Sequence, residues 1–156
     1  MANAAKQFEH LLLEILDQGY KRSAWHGPNL KQSLRGVSAR AAAWRPSPRR
    51  HNIWEIAMHA AYWKYAVRRR ITGGKRGGFA REGSNWLARP ARLTEAAWRA
   101  DQRLLADEHR KLRAAVAGAL RAGQKLPLRM IWGVAFHDVY HAGQVRLLRR
   151  LQGVRR

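Results

Sequence analysis

Apolar residues recur at helical spacing over four long stretches of the chain. Over 4–20, Phe8, Leu11, Leu12, Ile15, Leu16 and Gly19 fall three and four apart, which predicts an amphipathic helix. A second begins near Asn52, whose side chain can cap it, with Glu55 three residues on where a capping-box acid belongs. Its apolar set is Ile53, Trp54, Ile56, Ala57, Ala60, Ala61, Tyr62 and Ala66, and the pattern lasts to about Ile71. Thr94 caps a third, built on Ala97, Trp98, Leu104, Leu105, Leu112, Val116 and Leu120 and ending near Gly123. The fourth starts around Pro127, a residue favoured in a first helical turn, and runs to about Leu151.

The connecting segments read differently. Gly27-Pro28 breaks the chain, Asn29 caps a short helix to about Arg35, and Ser38 caps another turn or two. RPSPRR at 45–50 is a Pro-rich linker. The 72–92 stretch holds five glycines and one proline, with Lys75, Arg76, Arg81 and Arg89, and is expected to be a long, mobile, basic loop. Trp86-Leu87 would pin it to the body. No stretch alternates as a strand does, and no repeat is visible. The simplest architecture is an all-α four-helix bundle with one long loop between its second and third helices; an irregular all-α domain is the alternative. One domain over 1–151, followed by a basic tail at 152–156, is expected.

Composition narrows the chemistry. The 156 residues are 46% apolar and 26% charged, as globular domains are, which excludes a chain disordered throughout. Cysteine is absent, so disulfides, thiolate metal sites and a cysteine nucleophile are excluded, and any metal must be held by His, Asp or Glu. Lys6, Glu9, His10 and Glu14 interrupt the first apolar run, unlike a signal peptide, and no window is apolar enough for a transmembrane helix. A cytoplasmic protein without membrane contact is expected. The net charge of +21 attracts polyanions, although the basic residues are spread along the whole chain.

His137 and His141 are four apart in a helical segment, which stacks them on one face with Cβ atoms roughly 5–6 Å apart. Met130, Gly133, Val134, Gln144 and Leu148 share that stripe, so the pair faces the core. Two imidazoles so placed can share a divalent ion; the bland reading is a pair of partly exposed helix histidines. His59, on the second long helix, can supply a third ligand, because facing helices of a bundle converge side chains on the core. Otherwise it is a hydrogen-bonded core histidine. Gln144 can hold a substrate or a metal-bound water. Glu55 can be a general base, with capping as its structural alternative. Asp138 points about 100° from His137 and suits an arginine partner or an orienting bond to a histidine. Tyr140 also leaves the metal face, with packing as its alternative role. His51 shapes the helix start, His26 can fold over a pocket mouth or sit in a surface turn, and His10 and His109 read as solvated.

Three segments carry a family resemblance. Phe136-His137-Asp138-Val139-Tyr140-His141-Ala142-Gly143-Gln144-Val145 resembles the C-terminal signature of the DinB/YfiT-like metalloenzymes. His51-Asn52-Ile53-Trp54-Glu55-Ile56-Ala57-Met58-His59 resembles their second helix, and Trp25-His26-Gly27-Pro28-Asn29-Leu30, with Leu34 and Val37, the segment after the first. The likeness spans roughly residues 5–151. It implies a four-helix bundle of up-down-down-up topology, often a homodimer, with nickel or zinc bound by His59, His137 and His141. Relatives in the wider superfamily are thiol-dependent transferases and isomerases, which implies a small-molecule thiol co-substrate whose thiolate the metal presents to an electrophile. The charge of +21 and the glycine-rich basic loop depart from the usual pattern.

Three functions compete on these grounds. One is a metal-dependent transferase or hydrolase acting on a small molecule. The second is a basic, metal-stapled helical module that binds nucleic acid or another polyanion through Arg68, Arg69, Arg70, Lys75, Arg76 and Arg81. The third is a metal-stabilised scaffold without turnover.

Overall fold

A computed structural model describes residues 2–87 and 90–153. Arg89 of the basic loop and residues 154–156 of the tail lie outside them. The described residues form six helices and no strand: α1 Ala2–Tyr20, α2 Leu30–Leu34, α3 Ala39–Ala43, α4 Ile53–Thr72, α5 Glu95–Arg121 and α6 Leu128–Gly153. Four are long. The other two are the short helix expected after Asn29 and the turn or two expected after Ser38.

The caps explain where each element starts. Asn29 Oδ1 accepts from the Gln32 amide at 3.0 Å, and Gln32 Oε1 accepts from the Asn29 amide at 3.1 Å. Asn52 and Glu55 repeat this box on α4, at 2.8 and 3.2 Å. Ser38 and Thr94 each accept one amide of the following turn. Each such bond stabilises its helix by about 1 kcal/mol. At the far end of α4, Gly73 turns the chain at φ 70°, in the left-handed region that glycine enters without strain.

Cross-helix pairs fix the relative directions. His59 meets His141 and Lys64 meets Asp138, so α4 and α6 run antiparallel. Trp54 meets Asp101 and Arg68 meets Glu108, so α4 and α5 run parallel. Asp17 meets His109 and Glu9 meets Arg121, so α1 is antiparallel to α5. Parallel neighbours cannot be joined by a tight turn, and residues 73–87 carry the chain back along α4.

That return is tied down at several points. Tyr65 Oη accepts from the Gly78 amide at 3.0 Å, Arg81 pairs with Asp101 at 2.6 Å, and Leu87 is buried in the core. One apolar cluster gathers Leu87, Ile53, Trp54, Ile56, Leu30, Trp98, Leu105 and Val145. A second, around Leu12, Leu16, Leu112, Val116, Ile131 and Val134, fills the other end. Burying each of these large side chains contributes about 1.5–3 kcal/mol.

Candidate metal centre

His59 enters from α4, and His137 and His141 from successive turns of α6. The expected convergence holds: one ring nitrogen from each lies within 4.8 Å of the others. His137 Nε2 is 3.0 Å from His59 Nε2 and 3.0 Å from His141 Nε2. His59 and His141 are buried, and His137 is half-buried.

The outer hydrogen bonds set the tautomers. His59 Nδ1 lies 2.9 Å from the carbonyl oxygen of Asn85, which can only accept, so Nδ1 carries the proton and Nε2 a lone pair. His141 Nδ1 lies 2.6 Å from Gln144 Oε1, with the same result. Both lone pairs therefore aim at His137 Nε2. A proton on His137 Nε2 can bridge to one of them, whereas a cation among the three rings satisfies all. His137 Nδ1 is itself buried without a hydrogen-bond partner among the described residues. Three imidazoles fit a divalent ion of borderline softness and leave coordination positions for other groups.

Electrostatics keep the rings neutral, the form that ligates. Burial drives the His137 pKa down to about 3, helped by His141, His59 and Lys64. Burial takes His141 to about 4 against the opposing Gln144 bond, with His59 and His51 adding to the fall. His59 is lowered by burial, which outweighs the Asn85 carbonyl.

The crossover segment builds much of the surroundings. Trp86 lies between two imidazoles, stacked on His59 at 3.8 Å and on His51 at 3.6 Å, both within 5° of parallel. Asn85 has a positive φ of 57°, and its side-chain oxygen accepts from Trp63 Nε1 at 3.0 Å. That Asn85 and Trp86 hold His59 was not read from the sequence. The indole pair Trp63 and Trp86, with Asn85 suited to a left-handed turn, is the only local signal.

The other expected residues fall as follows. Gln144 bonds His141 and donates to Tyr140 Oη at 3.0 Å, so it orients a ring of the triad. Glu55 caps α4, pairs with Arg45 and lies 3.2 Å from His51 Nδ1. Asp138 is fully buried and ion-paired with the equally buried Lys64, rather than with an arginine or histidine. His51 stacks on the far face of Trp86 from His59 and adds to the lowering of the His59 and His141 pKa values. His26 is exposed in its turn, beside fully exposed Trp25. His10 is exposed, as expected. His109 corrects the expectation of a solvated side chain: it is 2% exposed, and its Nε2 is 3.0 Å from Asp17 Oδ1.

A cavity of about 710 Å³ reaches the triad at His141. His141, Gln144, Tyr140 and Trp86 form its inner wall, Leu147, Leu148 and Leu151 an apolar side, and Arg49 and Arg50 of the Pro-rich linker a cationic rim. On the other side of the triad, Trp63, Val67, Met130 and Val134 enclose a smaller apolar pocket of about 180 Å³ against His137.

No curated protein and no solved structure gives a significant match to the chain. The family model of the DinB superfamily matches residues 24–145. The match covers more than half of the chain and includes all three histidines, and the chain belongs to the DinB superfamily.

Proposed function

We propose that this protein is a metal-dependent enzyme built on a DinB-like four-helix bundle of up-down-down-up topology, with His59, His137 and His141 holding one nickel or zinc ion. The observation that carries this reading is the pair of lone pairs, on His59 and His141, fixed toward His137 by Asn85 and Gln144. Bound there, a divalent metal supplies a Lewis acid that lowers the pKa of a coordinated thiol or water. The reaction class is thiol-dependent group transfer or hydrolysis in the cytoplasm.

The chain's own residues do the rest. Gln144 fixes His141 and presents its amide to the cavity wall. Arg49 and Arg50 favour an anionic group on the substrate, and Leu147 and Leu151 take an apolar part. Glu55 is committed to Arg45 and to the helix cap, whereas Gln144 bonds a ring of the triad directly and lines the cavity.

A homodimer suits the outer face of α6. Trp132, Phe136, Tyr140, Leu147 and Leu151 are all exposed there, at spacings of four and seven.

The test is elemental mass spectrometry on untagged protein purified without chelator, with His141→Ala alongside. About one nickel or zinc per chain is expected, lost in the variant with helical circular dichroism retained. Full occupancy in the variant overturns the ligand set. Metal present without turnover, across a screen of small thiols against electrophiles, leaves the stabilised scaffold as the better reading.

A further inference from the structure

A second cavity of about 710 Å³ lies between the C-terminal half of α4 and the returning segment. Its walls carry Arg69 and Arg70 from α4 and Arg76 from the segment opposite. None of the three makes an ion pair or side-chain hydrogen bond among the described residues. Their neighbours are committed elsewhere: Arg68 grips Glu108 at 3.0 and 3.3 Å, and Arg81 grips Asp101 at 2.6 Å. Glu82 is the one carboxylate on the wall. Arg69 and Arg70 sit in the last turn of a helix, where cations are favoured. That preference does not explain why Arg76 lines the same space from the segment beyond the helix.

The remaining wall is aromatic. Trp63 is 37% exposed, and its N–H is held by Asn85, so the indole is fixed in orientation. Tyr62 and Phe79 meet edge to face at 5.7 Å in the same wall. Guanidinium groups bind phosphate oxygens in bidentate fashion, and a fixed indole offers a stacking surface to a flat heterocycle. The cavity is of the size that holds small ligands.

We propose that this cleft binds a nucleotide, with its phosphates on Arg69, Arg70 and Arg76 and its base against Trp63. The cleft adjoins the histidine centre, since Trp63 meets His59 and His137 edge-on at 6.3 and 6.4 Å, but none of its proposed ligand contacts needs a metal there. The same chemistry could come from a free nucleoside phosphate or from one nucleotide of a single strand.

Isothermal titration calorimetry at about 150 mM salt tests this with ADP, inorganic pyrophosphate and a ten-residue oligothymidylate. The variant Arg69→Gln/Arg70→Gln/Arg76→Gln is compared with Arg103→Gln/Arg146→Gln/Arg150→Gln, which removes the same charge from exposed positions elsewhere. The cleft variant should bind ADP about tenfold more weakly or worse, and the other should lose less than about twofold. Trp63→Leu should weaken ADP while leaving pyrophosphate unchanged. ADP tighter than the oligonucleotide identifies the free nucleotide as the source, and the reverse order the strand. Equal losses in the two arginine triples reduce the binding to the general field of the protein and overturn the proposal. So does pyrophosphate binding as tightly as ADP with no effect of Trp63→Leu, or no binding of any probe.

Discussion

The indole of Trp86 lies flat on the imidazole of His59, ring centroids 3.8 Å apart and planes 5° from parallel. The Asn85 carbonyl beside it fixes the proton on His59 Nδ1. A segment without regular structure thus sets both the plane and the tautomer of one member of the triad. Removing such outer supports costs metal centres about ten- to 100-fold in affinity. Trp86→Ala should lower metal affinity by that factor in competition with a chelator, with helical content unchanged. Unchanged affinity would show that α4 alone positions His59.

Lys64 and Asp138 form an ion pair with both side chains about 1% exposed. Burial raises the Asp138 pKa against the pull of Lys64, which binds Oδ2, and Oδ1 has no hydrogen-bond partner among the described residues. Lys64→Met leaves a buried carboxylate without its counter-charge and should cost about 3–5 kcal/mol in urea unfolding. The double variant Lys64→Met/Asp138→Leu removes both charges and should recover most of that loss. A double variant no better than the single one would mean that the pair is replaceable by nothing of similar volume.

His109 makes stability depend on pH. Burial lowers its pKa to about 4, against the hydrogen bond to Asp17, while Lys64 and Lys21 reinforce the fall. Tyr20 packs against it from α1 with the rings tilted by 32°, and Arg113 binds the far oxygen of Asp17. The unfolded chain takes up a proton near pH 6.5 and the folded chain only near 4. Between these values the unfolded state holds more protons, so stability falls as pH drops through that window. His109 contributes about 3 kcal/mol to the fall. Asp17, lowered to about 2 by His109 and Arg113 in spite of its own burial, adds a further loss below pH 3.8. His109→Gln should flatten the upper part of the curve when urea midpoints are compared from pH 7 to 4. A curve of unchanged slope would place the acid sensitivity in other groups.

Gly19 lets α1 approach α6. A Cβ there would come 2.7 Å from the backbone oxygen of Ala135, which cannot swing aside. Gly19→Ala should therefore destabilise by about 1–3 kcal/mol, although alanine is the better helix former. A raised melting temperature in this variant would contradict the close approach.

The exposed face of α6 gives the last prediction. Phe136→Arg with Leu147→Arg should leave a monomer in sedimentation equilibrium under conditions where the parent chain is a dimer, because paired guanidinium groups would be buried without counter-charges. A parent chain that sediments as a monomer removes the dimer.

The helices were legible because their information is local. Asn29, Ser38, Asn52 and Thr94 announce starts within three residues of the bonds they make. The pairing of His137 with His141 follows from helical spacing, and His59 from the need to face them across the core. The support of His59 by Asn85 and Trp86 was not legible, since it depends on where a segment 26 residues downstream docks. His109 was misread because Glu108, Arg110 and Lys111 surround it in sequence. Its spacing from Leu105, Leu112 and Val116 places it on the buried stripe, and that periodicity was the signal to follow. Asp138 was placed off the metal face correctly, but its partner comes from α4, which spacing along α6 does not show.

The 78 residues separating His59 from His137 include the whole of α5 and the crossover before it. In a chain without cysteine, an ion gripped from both ends would be the one cross-link available. If it stayed coordinated while the helices came apart, it would restrict the open chain as a disulfide of that span does, by about 4–5 kcal/mol in the chain-entropy picture. The triad would then govern how long the folded protein survives, whatever chemistry the ion supports. Unfolding in denaturant should be far slower with metal than with chelator present.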